Sequence, residues 1–446
     1  MNFMTKTQKI VLIGAGSAAF GPPSLMDLYS SKLLSGSTIV LHDINKEKLE
    51  RVYDIVIKEN EIRGNKFIVE KTLSRKKGLE DADFVIVAIE NGDRFLLRRQ
   101  DNAIPRSFGS TEIMAENGGP GGFFHSARQI PEHIRIGKDI MKFCPNALLI
   151  VYSNPISRIC LALSRSVPEL KFVGLCHQLA LLTRSFLPDM LKKEMSELKL
   201  TTGGLNHFAF LLGLEGTSTG KDLMPEFNSK CKQYFKDKRD RFHYADLTFE
   251  IYKRTGYFCY AGDNHVCEYL QFGSQYTKIK DILDWLDRME NGKININKWL
   301  EQNHKKLMNG GYPKDGLFLN LRSGERGIPI IEAILTNKNS HERAVNIPNI
   351  GIINNLPQDL VIECSATVNH DGIHGIKLGN IPKSIAGLLR IEASIQDVCV
   401  EAILKKSKDL AIACLAMDVN CGSFGMAEAI FNEIISVQKE YLPKFK

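Results

Sequence analysis

The chain has no uninterrupted apolar stretch approaching the roughly 18 residues that cross a bilayer. Candidates such as residues 147–152 and 179–182 are only of strand or core length. It also lacks a closely spaced cysteine framework: the 10 cysteines are scattered, and Cys144, Cys160, Cys259, Cys364 and Cys414 sit in apolar or ordinary surroundings, as buried free thiols do. Disulfides are not expected. Glycine triplets, sustained heptads, low-complexity blocks, internal repeats and a Pro- or Ser-rich linker are missing too, which excludes fibrous, coiled-coil, disordered and solenoid architectures. No charge of one sign dominates. The 58 Lys+Arg against 51 Asp+Glu leave a net +7, and the charges interleave, as in residues 46–51, in the manner of a solvated helix face rather than a nucleic-acid stripe. Near the start, the apolar run 10–13 is too short for a secretory leader and passes directly into a glycine-rich turn. A cytoplasmic protein is expected, with neither nucleic acid nor membrane as partner.

What is present is an ordinary globular composition, 43% apolar and 24% charged over 446 residues, enough for a large core. Residues 9–13, 38–41, 67–71, 84–89, 147–152 and 171–174 read as strands. Between them, 25–34, 46–60 and 131–143 carry apolar residues at helical spacing. Strands alternating with helices, two of them apolar throughout (84–89 and 147–152), predict a parallel sheet covered on both faces. Beyond about residue 185 the alternation breaks down. Helical stretches at 281–289 and 295–306 mix with extended ones at 208–214 and 327–331. The expected architecture is α/β, a Rossmann-type doubly wound parallel sheet over 1–185 followed by a mixed α+β domain over 186–446, as in lactate and malate dehydrogenases. The cleft between them is the expected site.

The first strand runs into Gly14-Ala15-Gly16-Ser17-Ala18-Ala19, a G-x-G-x-x-A turn opening a helix. Such glycines let backbone N–H groups approach a pyrophosphate, whose charge favours the helix N-terminus. Asp43 lies 27 residues beyond Gly16 at the end of the second strand, where a carboxylate accepts from ribose hydroxyls and repels a 2′-phosphate. The pattern predicts NAD rather than NADP at Gly14, Gly16, Ser17 and Asp43.

Three further stretches carry side chains of chemical interest. Cys176 and His177 follow the strand 171–174, and His207 stands in the glycine-lined stretch Gly203-Gly204-Leu205-Asn206-His207. Cys176 and His207 are either a thiolate–imidazole pair suited to Mn, Fe, Co or Zn, or a buried cysteine and a satisfied core histidine. Asp263, in Gly262-Asp263-Asn264-His265 among several tyrosines, is either a base or a turn residue. Asn154-Pro155 closes the strand 147–152 with an amide that points into the crevice or only forms a turn. Gly118-Gly119-Pro120-Gly121-Gly122 is an anion-binding nest or a tight connection ahead of Arg128.

Together with Tyr152-Ser153-Asn154-Pro155, Leu205-Asn206-His207, Glu268, Val345-Asn346-Ile347-Pro348-Asn349 and Asn355-Leu356-Pro357, these pieces resemble, nearly end to end, glycoside hydrolase family 4. This family of NAD- and metal-dependent glycosidases stands outside the two-carboxylate scheme. The resemblance implies that Cys176 and His207 hold a divalent metal, most often Mn, with His177 as acid and Asp263 as base, or Tyr257 or Tyr260 in its place. Asn154, Asn206 and Arg128 would meet the sugar. It implies oxidation at sugar C3 by NAD, loss of the C2 proton, elimination of the aglycone, addition of water and return of the hydride. It also implies a homodimer or homotetramer. His177 after the cysteine points to an unphosphorylated, α-linked hexoside or uronide, whereas members with Asp or Asn there tend to take 6-phosphorylated sugars. Gln178 and Glu116-Asn117-Gly118 depart from the commonest pattern. The alternative is a dehydrogenase of a hydroxy acid or sugar, releasing NADH.

Overall fold

The computed structural model describes residues 7–16, 21–238, 243–318 and 322–446; Ser17 and Ala19 of the glycine turn lie outside them. The first part alternates as expected: β1 (Lys9–Ile13), α1 (Gly21–Ser30), β2 (Thr38–His42), α2 (Lys46–Ile62), β3 (Ile68–Thr72), α3 (Arg75–Leu79), β4 (Phe84–Val87), α4 (Arg94–Ser107), α5 (Gly119–Phe143), β5 (Leu148–Val151), α6 (Ile156–Ser166) and β6 (Phe172–Gly174). All six strands pair in parallel. Every side chain of β4 is buried, because helices cover both faces of the sheet.

After α7 (Leu187–Leu191) come the hairpin β7 (Leu198–Leu205) and β8 (Phe208–Gly216), α8 (Met224–Asp237), α9 (Asp246–Thr255), β9 (Phe258–Cys259), α10 (Asp263–Val266), α11 (Ile279–Met308) and α12 (Gly327–Thr336). The chain closes with β10 (Ser340–Pro348), β11 (Val361–Asn369), β12 (Gly372–Gly375), α13 (Lys383–Lys405), α14 (Lys408–Met417) and α15 (Phe424–Gln438). The later strands extend the first sheet. The order is β3-β2-β1-β4-β5-β6-β10-β11-β7-β8-β9, with β12 paired to β11, and pairing turns antiparallel from β6–β10 onward.

Two expectations change. Residues 327–331, expected to be extended, form the first half of α12: their buried positions, Gly327, Ile328, Ile330 and Ile331, repeat at helical spacing instead of alternating. Short apolar runs carry no period long enough to separate the two readings. The stretches 281–289 and 295–306 are one helix, α11, because Gly292 between them meets nothing within 4 Å and weakens the helix without breaking it.

The glycine turn before α5 is itself the first turn of that helix. A Cβ at Gly121 would lie 2.4 Å from Ala115 Cβ and 2.6 Å from the Asp101 carbonyl oxygen, so only glycine lets α5 seat here. The carboxyl group of Glu112 accepts from the N–H groups of Gly121, Ile113 and Ala115 at 2.9–3.0 Å. The nest is filled by the chain's own acid.

Arg128, expected to meet substrate, is a packing residue. Buried on α5, it spans the two carboxylate oxygens of Asp101 on α4 and donates to Gln438 Oε1 of α15 at 2.6 Å. Three helices are tied together by one desolvated guanidinium, whose two terminal nitrogens bind Asp101 and Gln438. Arg128→Met strands the Asp101 carboxylate in the core. The substitution is expected to lower unfolding free energy by about 3–5 kcal/mol, read from urea midpoints, and a loss under about 1 kcal/mol would remove the pair from this role.

Candidate active site

The crevice opens where the sheet order departs in both directions from β1, toward β2 on one side and β4 on the other. Gly14 has φ +87°, and a Cβ there would lie 2.4 Å from the Ala88 carbonyl oxygen just beyond β4. The N–H groups of Gly14 and Ala15 donate to the His42 carbonyl oxygen at 2.9 and 3.1 Å, folding the turn against the end of β2. Asp43 receives the Gly16 N–H at 2.9 Å on one oxygen and the Asn45 N–H at 2.8 Å on the other. A side chain at Gly16 would come within 2.8 Å of that carboxylate. The turn and the acid therefore form one tightly folded cradle, in which only glycine fits at positions 14 and 16.

The second half of the site depends on the register of four strands. Gly174 of β6 pairs with Asn346 of β10, Asn346 with Glu363 of β11, and Glu363 with Gly204 of β7. One row across the sheet thus ends two residues before Cys176 on one side and three before His207 on the other. His207 sits in the β7–β8 turn at φ +63°, a conformation a non-glycine residue adopts rarely. The result is Cys176 Sγ 3.1 Å from His207 Nε2. The pair straddles the boundary expected near residue 185.

Glu363 holds the row together. Its carboxyl accepts from Asn206 Nδ2 at 2.7 Å, Asn346 Nδ2 at 3.1 Å and the Tyr260 hydroxyl at 2.5 Å. Burial raises its own pKa, and burial together with this carboxyl holds the Tyr260 phenol well above its usual value. Tyr260 is therefore unsuited to be a base. Asn154 and Asn206 each keep a buried Oδ1 with no protein partner. Burial pushes the Cys176 thiol up and pulls His207 well below the usual range, the latter with help from the neighbouring His265. A neutral imidazole beside a thiol, with orphaned amide oxygens nearby, is a donor set that can receive a divalent cation, which would itself ionise the thiol.

Sequence reasoning assigned no role to the group behind this pair. The His265 ring centroid is 4.1 Å from that of His207, and ligand-type atoms of Glu116, His207 and His265 all lie within 4.8 Å of one another. Glu116 faces His265 Nδ1 at 3.4 Å and pairs with Arg98 at 2.9 Å. Burial opposes its charge, but Arg98 and His265 hold its carboxyl well below the usual range. Asn117 meets His207 Nδ1 at 2.6 Å, and Gln178 meets His265 Nε2 at 2.8 Å. Glu268 accepts from the N–H groups of Glu116 and Asn117, fixing this segment. The available signal was the glutamate in the otherwise apolar or small-residue run 361–366, since a buried acid needs partners.

His177 is exposed on a cleft that Cys176, Arg184, Arg326, Glu342 and Arg343 also line. Arg326 is engaged by Glu342 through two hydrogen bonds, 2.8 and 2.6 Å. Asp263, buried at the start of α10, accepts from Leu247 and Thr248 N–H at 2.8 and 3.0 Å and so clamps the first turn of α9. Burial raises its pKa to about 6. Tyr257 is half-buried against the core.

Sequence models of this chain's relatives decide its kinship. The model described as "Family 4 glycosyl hydrolase" matches residues 9–192, and that of the "Family 4 glycosyl hydrolase C-terminal domain" matches 202–421. The chain belongs to glycosyl hydrolase family 4. Among family members it is similar to an α-glucosidase of Erwinia rhapontici, 36% identical over 98% of this chain and 99% of the relative. An α-galactosidase of Bacillus subtilis strain 168 is 28% identical over 98% and 100%. The solved 6-phospho-α-glucosidase from gut microorganisms, in complex with NAD and Mn2+, shares the fold with TM-score 0.85 at 22% identity, over 99% of this chain and 100% of that one. The dehydrogenase alternative is the weaker reading of a family 4 chain. Among the described residues no helix is long and apolar enough to cross a membrane.

Burial, opposed by Glu116, lowers the His265 pKa to about 4, so the folded protein keeps this ring neutral where the unfolded chain, near 6.5, takes up a proton. Stability from this group is lost as pH falls from about 6.5 to about 4. Imidazole NMR shifts should stay in the neutral form down to about pH 5, and His265→Asn should flatten that part of the stability profile. A ring titrating near 6.5 would contradict the burial argument.

Proposed function

We propose that this family 4 enzyme is an NAD- and divalent-metal-dependent glycosidase, with Mn the expected metal, acting on an unphosphorylated, α-linked hexoside or uronide. The observation that carries the reading is the 3.1 Å approach of Cys176 Sγ to His207 Nε2 at the carboxyl end of β6, on the same carboxyl edge of the parallel strands as the Gly14–Asp43 cradle. The α-glucosidase named for the 36% identical relative supports an α-glucoside first. The NAD and Mn2+ of the gut 6-phospho-α-glucosidase support the cofactors.

In this reading Gly14, Gly16 and Ser17 meet the pyrophosphate, Asp43 the ribose, and Cys176 and His207 the metal. When bound, NAD supplies a reversible hydride acceptor for sugar C3 and the metal a Lewis acid for the adjoining oxygens. Asn154 and Asn206 turn their unpartnered Oδ1 atoms toward sugar hydroxyls. Asp263 receives the C2 proton, its pKa near 6 placing it ionised at neutral pH. His177, exposed to the cleft, protonates the departing aglycone oxygen, and water adds at C1. Arg343, which donates to the Met195 carbonyl at 3.2 Å, lines the same cleft as His177, as does Arg184, and this favours the uronide as the second reading. Ten free cysteines, eight of them buried, support a reducing cytoplasm. The half-exposed Met289, Ile294, Ile296 and Trp299 on α11 support assembly into a homodimer or homotetramer, whose mass by light scattering would be a multiple of 50.1 kDa.

Aryl α-glucosides, α-galactosides and α-uronides, incubated in D2O with NAD, Mn2+ and a reductant, are expected to release aglycone and a sugar deuterated at C2. Omission of NAD, or Cys176→Ser, should return the rate to background. Stoichiometric NADH from a hydroxy acid with no glycoside cleaved would instead establish the dehydrogenase. Because Asp263 acts ionised, kcat/KM should fall below pH about 6. Asp263→Asn should lower kcat by about 10²–10⁴ while Tyr257→Phe keeps the acid limb; the reverse pattern would move the base to Tyr257.

A further inference from the structure

A histidine binds a metal through a nitrogen that carries no proton, and its other nitrogen then carries one and needs an acceptor. His207 Nε2 faces Cys176 Sγ, so Nδ1 is the nitrogen that must be protonated. Among the described residues its hydrogen-bond partner is the Asn117 amide, 2.6 Å away. With Nδ2 toward the ring, that amide donates. Nδ1 is then the bare nitrogen, Nε2 carries the proton, and Asn117 Oδ1 is left buried with no partner. The oxygen and nitrogen of an amide occupy nearly the same volume, and the hydrogen-bond network decides between them.

We propose that Asn117 turns Oδ1 onto His207 Nδ1–H and so fixes the tautomer whose Nε2 lone pair is free for a divalent metal. The inference rests on the reading of Cys176 and His207 as the metal pair. The amide's NH2 then occupies the side on which Oδ1 finds no protein partner. Asn117 is a positioning residue, acting through His207. Its backbone is set for this: the Asn117 N–H donates to both carboxyl oxygens of Glu268 at 3.2 and 3.3 Å, and the neighbouring Glu116 N–H donates to one of them at 2.5 Å. Gly118 is packed so closely that a Cβ there would lie 2.8 Å from Glu268 Cβ. His265 does not compete for the amide, since its Nδ1 faces Glu116 and its Nε2 faces Gln178. The arrangement predicts that an acceptor at position 117, rather than an amide as such, governs metal affinity.

The test uses the full chain with Co2+ as a spectroscopic probe, reading the visible ligand-field bands and the thiolate charge-transfer band during titration. Asn117→Leu removes the acceptor at similar volume and is expected to weaken Co2+ binding about 10–100-fold, with NAD affinity unchanged. Asn117→Asp keeps an acceptor and should bind Co2+ as tightly as the natural protein or more tightly. Long-range 1H–15N spectra of the histidine-labelled natural protein, with the His207 signals identified by their absence in His207→Gln, should show Nδ1–H. That measurement stands even if Asn117→Leu fails to fold. An Nε2–H tautomer, Co2+ affinity in Asn117→Leu equal to the natural protein's, or equal weakening in Leu and Asp variants would each overturn the proposal. Failure of the natural protein to bind Co2+ at all would overturn the metal-pair reading beneath it.

Discussion

Everything at the centre of this protein hangs on one buried carboxyl group. Glu363 sits in the middle of a sheet and gathers two amides and a phenol from three other strands or strand ends. An acid in that position is tolerated only when each of its lone pairs is satisfied, so the requirement acts as a register lock: a slip of one residue in β7, β10 or β11 would turn its partners to the opposite face and leave the acid bare. The lock is what delivers Cys176 and His207, 31 positions apart in the chain, to within 3.1 Å.

Around that lock the chain uses buried polar groups as structural parts. Glu112 closes the start of α5, Glu268 holds the segment that carries Glu116 and Asn117, and Arg128 ties three helices together. Each is paired or hydrogen-bonded, as such groups must be in a medium of low polarisability. Among the side-chain atoms left without partners are the Oδ1 atoms of Asn154, Asn206 and Asn117, open to a ligand's donors.

The α/β half was legible in the sequence because strands and helices there differ in length, period and punctuation, and Gly14, Gly16 and Asp43 keep a spacing set by strand geometry. Residues 327–331 were not, since five residues cannot carry a period. Arg128 misled for a related reason: its partners Asp101 and Gln438 are 27 and 310 positions away, on helices whose packing no local pattern encodes. Cys176 and His207 stood out as residue types, but only family resemblance favoured a metal pair over a buried cysteine and a core histidine, because their meeting depends on sheet register. Asn117 and His265 were silent on the same account, and Glu363 signalled only as an acid in an apolar run. Ser17, assigned to the cofactor on sequence grounds, lies outside the described residues.

The continuity of the sheet has a further mechanical meaning. Two lobes joined by a hinge can close over a substrate as separate bodies, but here β6 and β10 are hydrogen-bonded neighbours in one plate of strands. That continuity resists rotation of one half against the other and favours access to the crevice through the loops at its rim. For the same reason neither half is a free-standing module. Cutting the chain between them would leave β6 and β10 as bare edges, the surface through which sheet proteins aggregate.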